Sequence, residues 1–356
     1  MIIVRPEAYR QYSVGRTHFT LVVEKAIADS FRLEGGSRYE QCSTVAVEPG
    51  RTLGDILRTD VPADGDVLAI ATDDALLTAP AVDVTPGRTV AAIRVGTGPL
   101  ALDQVGTQLE ALENTDPDDV RQRAEKLTGA LAASGGLRIE DALTGAAAEL
   151  TYGRPTWSRS DIGVFVPGSV WSAPTGRLRL ATDITGTALS GQIAVKGRPV
   201  VRARSAGVAR RNEIYEQLAG LSHHPLVLTV ENGAVTDLKA AAPGSGTAAA
   251  ELERLFAESA DHALISGVEF GLGVMTPSLP FNTEANSATA GRATASVHVV
   301  LGALPQSPYQ LTLACSTSTV TALGGEESLA GAATDKAGER PRRRMNRVSA
   351  ASCGCH

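Results

Sequence analysis

GVEFGLGVMT (Gly267–Thr276) and ASVHVVLG (Ala295–Gly302) each set one ionisable side chain inside an otherwise apolar or glycine-rich run: Glu269 in the first, His298 in the second. The second run is β-branched and short, and reads as a strand closed by glycine. On the residues alone, Glu269 is a buried acid bonded to backbone amides, and His298 a core histidine with a satisfied ring nitrogen.

The strand texture spreads outward from this pair. AAELTYGRP, DIGVFVPGSVWSAPTGRLRLATDI, GQIAVKGRPVVRAR, PLVLTVENGAVTDLKAA and the continuation to YQLTLACS are all strand-like. Asn232-Gly233 is a tight-turn signal within them. Between them SGTAAAELERLFAESADHAL predicts a helix capped by Ser245 or Thr247, and GVARRNEIYEQLAGL a second. Residues 136–324 therefore read as a strand-rich α+β domain. Residues 1–135 read differently, as an open α/β layer. CSTVAVEPG, DVLAIATDD and RTVAAIRVG are short strands, whereas ALDQVGTQLEALEN and DPDDVRQRAEKLTGALAASGG are helical. The latter has Asp116 as N-cap, Pro117 at the first helical position and a glycine pair as its stop. THFTLVVEKAIADSFRL places Phe19, Val22, Val23, Ile27 and Phe31 near helical spacing. Residues 325–356, small, polar and charged, predict a flexible tail without a core of its own.

Composition narrows the function classes. With 43% hydrophobic residues the chain of 356 builds real cores, and its net charge of −6 excludes a general nucleic-acid binder. The concentrated positive charge is Arg340, Arg342, Arg343, Arg344 and Arg347 in the tail. No segment approaches the ~20 apolar residues of a membrane span, and MIIVRPEAYR does not read as a secretory signal. Cys42 and Cys315 stand far apart, so the cysteines form no disulfide framework; a cytoplasmic protein is the expectation. No glycine pattern cradles a phosphate.

The order of motifs in 136–324 resembles the catalytic domain of the aminopeptidase T-type thermophilic metallo-aminopeptidases, whose relatives include a dihydroxypyridine dioxygenase. AELTYG, VFVPGSVWSAPTG, PLVLTVENGAVTDLKA, GVEFGLGVMT and ASVHVVLG carry the resemblance, in that order. It implies an aminopeptidase T-like fold, a homodimer and, in active members, two metal ions that activate a bridging water. Glu269 and His298 occupy ligand positions of that family. Other positions depart from it. Ser169 stands where the turn should present glutamate, Gln310 and Thr312 replace the late histidine and aspartate, and Pro305 replaces a tyrosine. Hydroxyls and amides are weak substitutes for carboxylate and imidazole, so the metal-pair chemistry is expected to be lost. A single zinc or other divalent ion on Glu269 and His298 needs a further donor, for which Asp161, His262 and Tyr309 are nearest in sequence.

Other candidates are weaker. His223-His224 predicts a loop, and His18 and His262 fall on predicted helices without a partner one turn on. Trp157 and Trp171 line either a peptide groove or the core, and the core is favoured.

The tail carries its own chemistry. Ser349, Ser352, Cys353, Cys355 and His356 crowd the last eight residues behind the arginines. Thiolate and imidazole suit zinc or copper(I), but a C-x-C-H end lacks a second ligand pair. In composition the end resembles core peptides of ribosomally made, modified natural products, in which Ser and Cys are dehydrated or cyclised. The expectation is a non-catalytic carrier whose tail meets a peptide-modifying enzyme or protease. The alternatives are a divergent metal-dependent hydrolase and a metal-binding accessory protein that uses the tail.

Overall fold

The computed structural model describes residues 1–12, 15–72, 76–77, 79–95, 101–153, 157–160, 163–172, 177–181, 188–197, 199–203, 208–271, 296–302 and 307–331. Strand β1 (Ile2–Val4) precedes β2 (His18–Glu24), β3 (Phe31–Leu33), β4 (Gln41–Val47), β5 (Gly65–Ala71) and β6 (Arg88–Arg94). Helices α1 (Leu53–Thr59), α2 (Ala101–Asn114) and α3 (Pro117–Ala133) complete the first part of the chain.

Strands β4, β2, β5 and β6 lie side by side, all parallel. A parallel sheet needs both faces covered, so its strands are apolar at consecutive positions. One face carries Val22, Val67 and Val90 against Leu53 and Ile56 of α1. The other carries Leu21, Leu68 and Ile93 against Val105 and Leu109 of α2. This arrangement corrects the helical reading of THFTLVVEKAIADSFRL. That segment is β2, a 3-10 stretch Lys25–Ser30 and β3. Phe19, Thr20, Leu21, Val22 and Val23 are all buried because layers lie on both sides, and such a run carries no usable period.

The second architecture is antiparallel. The strands from residue 136 on are β7 (Gly136–Asp141), β8 (Ala147–Thr151), β9 (Trp157–Ser160), β10 (Val170–Ser172), which returns to the parallel sheet, β11 (Arg177–Ala181), β12 (Ala188–Val195) and β13 (Val200–Ala203). They continue as β14 (Leu226–Glu231), β15 (Ala234–Ala240), β16 (Ile265–Gly271), β17 (Ser296–Leu301), β18 (Tyr309–Ala314), β19 (Ser318–Ala322) and β20 (Ser328–Gly331). Among the described residues one sheet runs β15-β14-β12-β8-β7-β19-β20 and another β13-β18-β17-β16-β11-β9. A continuous core joins them: Ile139, Leu150, Ile193 and Val320 from the first, Leu180, Val268, Phe270 and Leu313 from the second. Helices α4 (Val208–Gln217) and α5 (Gly246–Glu258) add Ile214, Leu252 and Leu255 to it. Together the two architectures make an α/β plus α+β fold.

The chain threads between the two cores. Helix α3 starts as its sequence dictates, with Asp118 N donating to the Asp116 carboxylate at 2.8 Å and Pro117 at the first position. Its buried Val120, Ala124, Leu127 and Leu131 nevertheless belong to the antiparallel core. Conversely β10 pairs with β6 at the edge of the parallel sheet, and Phe165 meets Tyr12 edge-on at 5.1 Å. The Asn232-Gly233 signal forms the β14–β15 hairpin with φ of 50° and 83°. Ser245 occupies the N-cap position of α5, but its hydroxyl donates back to Ala242 O at 2.8 Å, and Thr247 lies inside the helix.

Order extends past residue 324, where the sequence suggested a tail. Strand β20 pairs with β19 and buries Ala330 completely. Gly331 makes this possible: a Cβ there would lie 2.0 Å from Ser318 O, and its φ is 95°.

Candidate functional site

Register places the singled-out pair together. Glu269 on β16 stands directly opposite His298 on β17, and Arg179 on β11 stands opposite Glu269 from the other side. Directly paired residues point to one face of a sheet, with Cβ atoms about 4.5–5.5 Å apart. The alternate residues Leu178, Leu180, Val268, Phe270, Val297 and Val299 point the other way, into the core. Thr312 opposes Val300, and Gln310 opposes Arg202 of β13, which adds all three polar side chains to the face of Glu269 and His298. The sheet thus has one aliphatic and one polar face. Glu269 and His298 are both buried on the polar one.

Local sequence explains the geometry. Ser266 sits where the β16–β17 register slips between Ile265 and Gly267, and such a bulge re-aims side chains. Its hydroxyl donates to Gly302 O at 2.7 Å, and its oxygens accept from Arg179 Nη2 at 3.3 Å. Arg179 Nε lies 3.8 Å from Glu269 Oε1. In the Gly-Val-Glu-Phe-Gly run, Gly267 and Gly271 flank Glu269 on the polar face. A Cβ on Gly267 would stand 2.7 Å from Arg179 Nε, so the glycine makes room for the guanidinium. Gln310 Nε2 reaches Gly302 O at 3.5 Å.

The remaining expected donors go elsewhere. Tyr309 alternates with Gln310 and faces the core, where its ring lies 5.9 Å from that of His262. His262 sits in a 3-10 turn, Ala260–Ala263, with Nδ1 2.7 Å from Leu255 O. The pair therefore lies across the sheet from Glu269 and His298. Ser169 donates to Val166 O at 3.2 Å, closing its own turn before β10. Trp171 donates to the same carbonyl at 2.9 Å and stacks on Phe165 at 5.6 Å, which makes it part of the first layer's packing. His223 and His224 are exposed just beyond a 3-10 turn, in keeping with a loop. His18 opens β2 rather than a helix, with Nδ1 2.8 Å from Thr17 Oγ1. Asp161, Pro305 and the tail positions Ser349, Ser352, Cys353, Cys355 and His356 lie outside the described residues.

This donor set does not fit a metal pair. Among the described residues no group of three or more His, Cys, Asp or Glu side chains is disposed to hold an ion. The amide and hydroxyl of Gln310 and Thr312 are weak donors, and the Arg179 cation beside Glu269 opposes a second positive charge. Arg179 and Ser266 are the functional-face residues that sequence reading missed. The alternation of Leu178-Arg179-Leu180 was the available signal, since it puts the arginine opposite the aliphatic face.

The chain is similar to two solved structures. One is the 2,5-dihydroxypyridine dioxygenase from Pseudomonas putida KT2440, with 11% identity, a TM-score of 0.48 and coverage of 89% of this chain and 90% of that one. The other is wild-type AmpT from Thermus thermophilus, with 11% identity, a TM-score of 0.43 and coverage of 91% and 95%. No family model matches the chain, and no curated protein matches it in sequence. Among the described residues no helix is long and apolar enough to cross a membrane.

Proposed function

We propose that this protein is a non-catalytic, cytoplasmic carrier that displays its C-terminal peptide for modification in peptide natural-product biosynthesis. The body holds the peptide; Ser349, Ser352, Cys353 and Cys355 receive the chemistry from a partner enzyme, and the arginine cluster serves docking or cleavage. The observation that supports this best is the guanidinium of Arg179 lying against Glu269. A catalytic divalent ion needs that carboxylate, and here a protein cation already neutralises it. The reactive groups of the chain are then those of its end, where thiols and hydroxyls stand among small residues.

A second reading has its own support. Glu269 and His298 are directly opposed, with Thr312 and Gln310 on the same face, and one zinc ion bound there makes a divergent hydrolase. The test compares the full chain with one ending at Gly331, the last residue of β20. Metal content, amidase turnover and the intact mass of protein from its native source are measured on both. The carrier reading expects an inactive body and native tails lighter by ~18 Da, roughly one water, per modified Ser or Cys. Turnover with zinc retained by the truncated chain, and lost in Glu269→Gln, selects the hydrolase. Zinc or copper lost on truncation selects a metal-binding accessory role for Cys353, Cys355 and His356.

A further inference from the structure

A second polar cluster lies inside the antiparallel body, where β7 meets β19. Leu137, Ile139 and Asp141 alternate along β7 towards the core, so β7 ends by turning a carboxylate inward. Asp141 is only 2% exposed. Its Oδ1 accepts from Thr144 N and Oγ1 at 2.8 and 2.9 Å, which fixes the turn to β8. Its Oδ2 accepts from nothing. Directly opposite, Ser318 on β19 is fully buried, and its hydroxyl too has no partner. The two preceding residues, Ser316 and Thr317, form the β18–β19 turn and bury unpartnered hydroxyl oxygens of their own. Cys315 opens that turn and is near enough for its thiol to feel the Asp141 charge.

A buried hydroxyl without a partner is destabilising, and a half-satisfied carboxylate more so. One such atom is tolerable. Asp141 and Ser318 stand directly opposite each other and the other two oxygens belong to the adjoining turn, an arrangement that calls for a common occupant. All four are hard oxygen donors, which select alkali or alkaline-earth ions over zinc or copper. Charge decides between these two classes. One carboxylate neutralises a monovalent ion, whereas a dication leaves an uncompensated positive charge among Val320, Ala330 and other core residues.

We propose that Asp141 Oδ2 and the hydroxyls of Ser316, Thr317 and Ser318 form an internal site for a sodium or potassium ion. The ion ties the β18–β19 turn to the end of β7. Strand β20 packs on β19 at this point, with Gly331 against Ser318 O, so the site also anchors β20.

The test melts the full chain in sodium chloride, potassium chloride and choline chloride at one ionic strength. The melting temperature is expected to rise with sodium or potassium concentration and not with choline. Asp141→Asn keeps the amide oxygen that Thr144 needs, and should fold yet lose the response. Ser318→Ala removes one donor and should move the half-effective ion concentration up by about tenfold. Equal melting in the three salts overturns the proposal and leaves the corner to water. A response that survives in Asp141→Asn, or one given by calcium chloride but by neither alkali ion, overturns it as well.

Discussion

Strands β5 and β16 have the same length and the same burial, seven residues with every one buried, and they differ in what burial is for. Strand β5 lies inside a parallel sheet with a helix layer on each face, so nearly every position is apolar. Its acid, Asp66, stands near the strand start. There Tyr39 donates to it at 2.8 Å, and burial raises its carboxyl above the usual range. Strand β16 has one face in the antiparallel core and one polar face that is nonetheless covered. Val268 and Phe270 fill the first, while Glu269 stands on the second between two glycines. Burial therefore locates layers, and the alternation within a buried strand locates chemistry.

The largest predicted effect breaks that alternation if it is wrong. Phe270→Ala empties a core position and should cost about 3–5 kcal/mol in denaturant unfolding, as Ile70→Ala in β5 should cost about 2–5. Glu269→Gln, one residue from Phe270 and equal in volume, leaves the core face filled and gives up only a 3.8 Å ion pair with a partly exposed Arg179, so it should cost less than Phe270→Ala. Equal losses for Phe270→Ala and Glu269→Gln would mean that both faces of β16 serve the core alike.

A smaller effect sharpens the account of the polar face. Gly267→Ala puts a methyl 2.7 Å from Arg179 Nε and 3.0 Å from Leu180 O. The guanidinium can shift but the carbonyl cannot, so a loss of about 1–3 kcal/mol is expected. Arg179→Ala in the same chain should restore part of it, since the two substitutions share one contact. Strict additivity in that double-mutant cycle would show that Arg179 is not what Gly267 accommodates.

The two architectures also treat their thiols differently. Cys315 lies in the antiparallel core, and burial, reinforced by Asp141, pushes its thiol up to about 12. Cys42 on edge strand β4 is half-buried, and burial raises it less far, with Glu7 contributing. At pH 8 a soluble thiol reagent should modify Cys42 slowly and leave Cys315 untouched until the protein unfolds. Mass mapping of labelled peptides distinguishes the two positions.

The sequence made some of this legible and hid the rest for definable reasons. Asp116-Pro117 and Asn232-Gly233 were readable because capping and tight turns are decided within a few residues. The β2 segment was misread because a strand covered on both faces has no alternation to detect. Glu269 and His298 were singled out, and their pairing is a matter of register, which two separate strands do not encode locally. Arg179 was passed over because its importance exists only opposite Glu269. The polar corner around Asp141 was invisible for the same reason, as it joins the end of β7 to a turn far along the chain. Strand β20 was hidden by its small residues: Ala330 and Gly331 look like tail, and only the contact with β19 makes them core.

The smallest predicted effect concerns the helices that back the antiparallel core. Glu258, at the end of α5, accepts from Arg210 of α4 and from Arg254 one turn earlier. The hydrogen bond from Arg210, with the charges of Arg210, Arg254 and His262 behind it, holds the Glu258 carboxyl below the usual range. Because the folded value is depressed, the contribution is complete above the unfolded value of about 4.3 and fades as pH falls through the folded one. Solvent reaches this pair, which keeps the effect small. Thermal melts of the native chain and of Glu258→Gln should therefore differ most near neutral pH and draw together only as pH falls below the unfolded value. The parallel-sheet variant Ile70→Ala should show no such convergence, since the apolar contacts it removes carry no proton. A constant gap between native and Glu258→Gln melts across that range would make the α4–α5 contact one of packing alone.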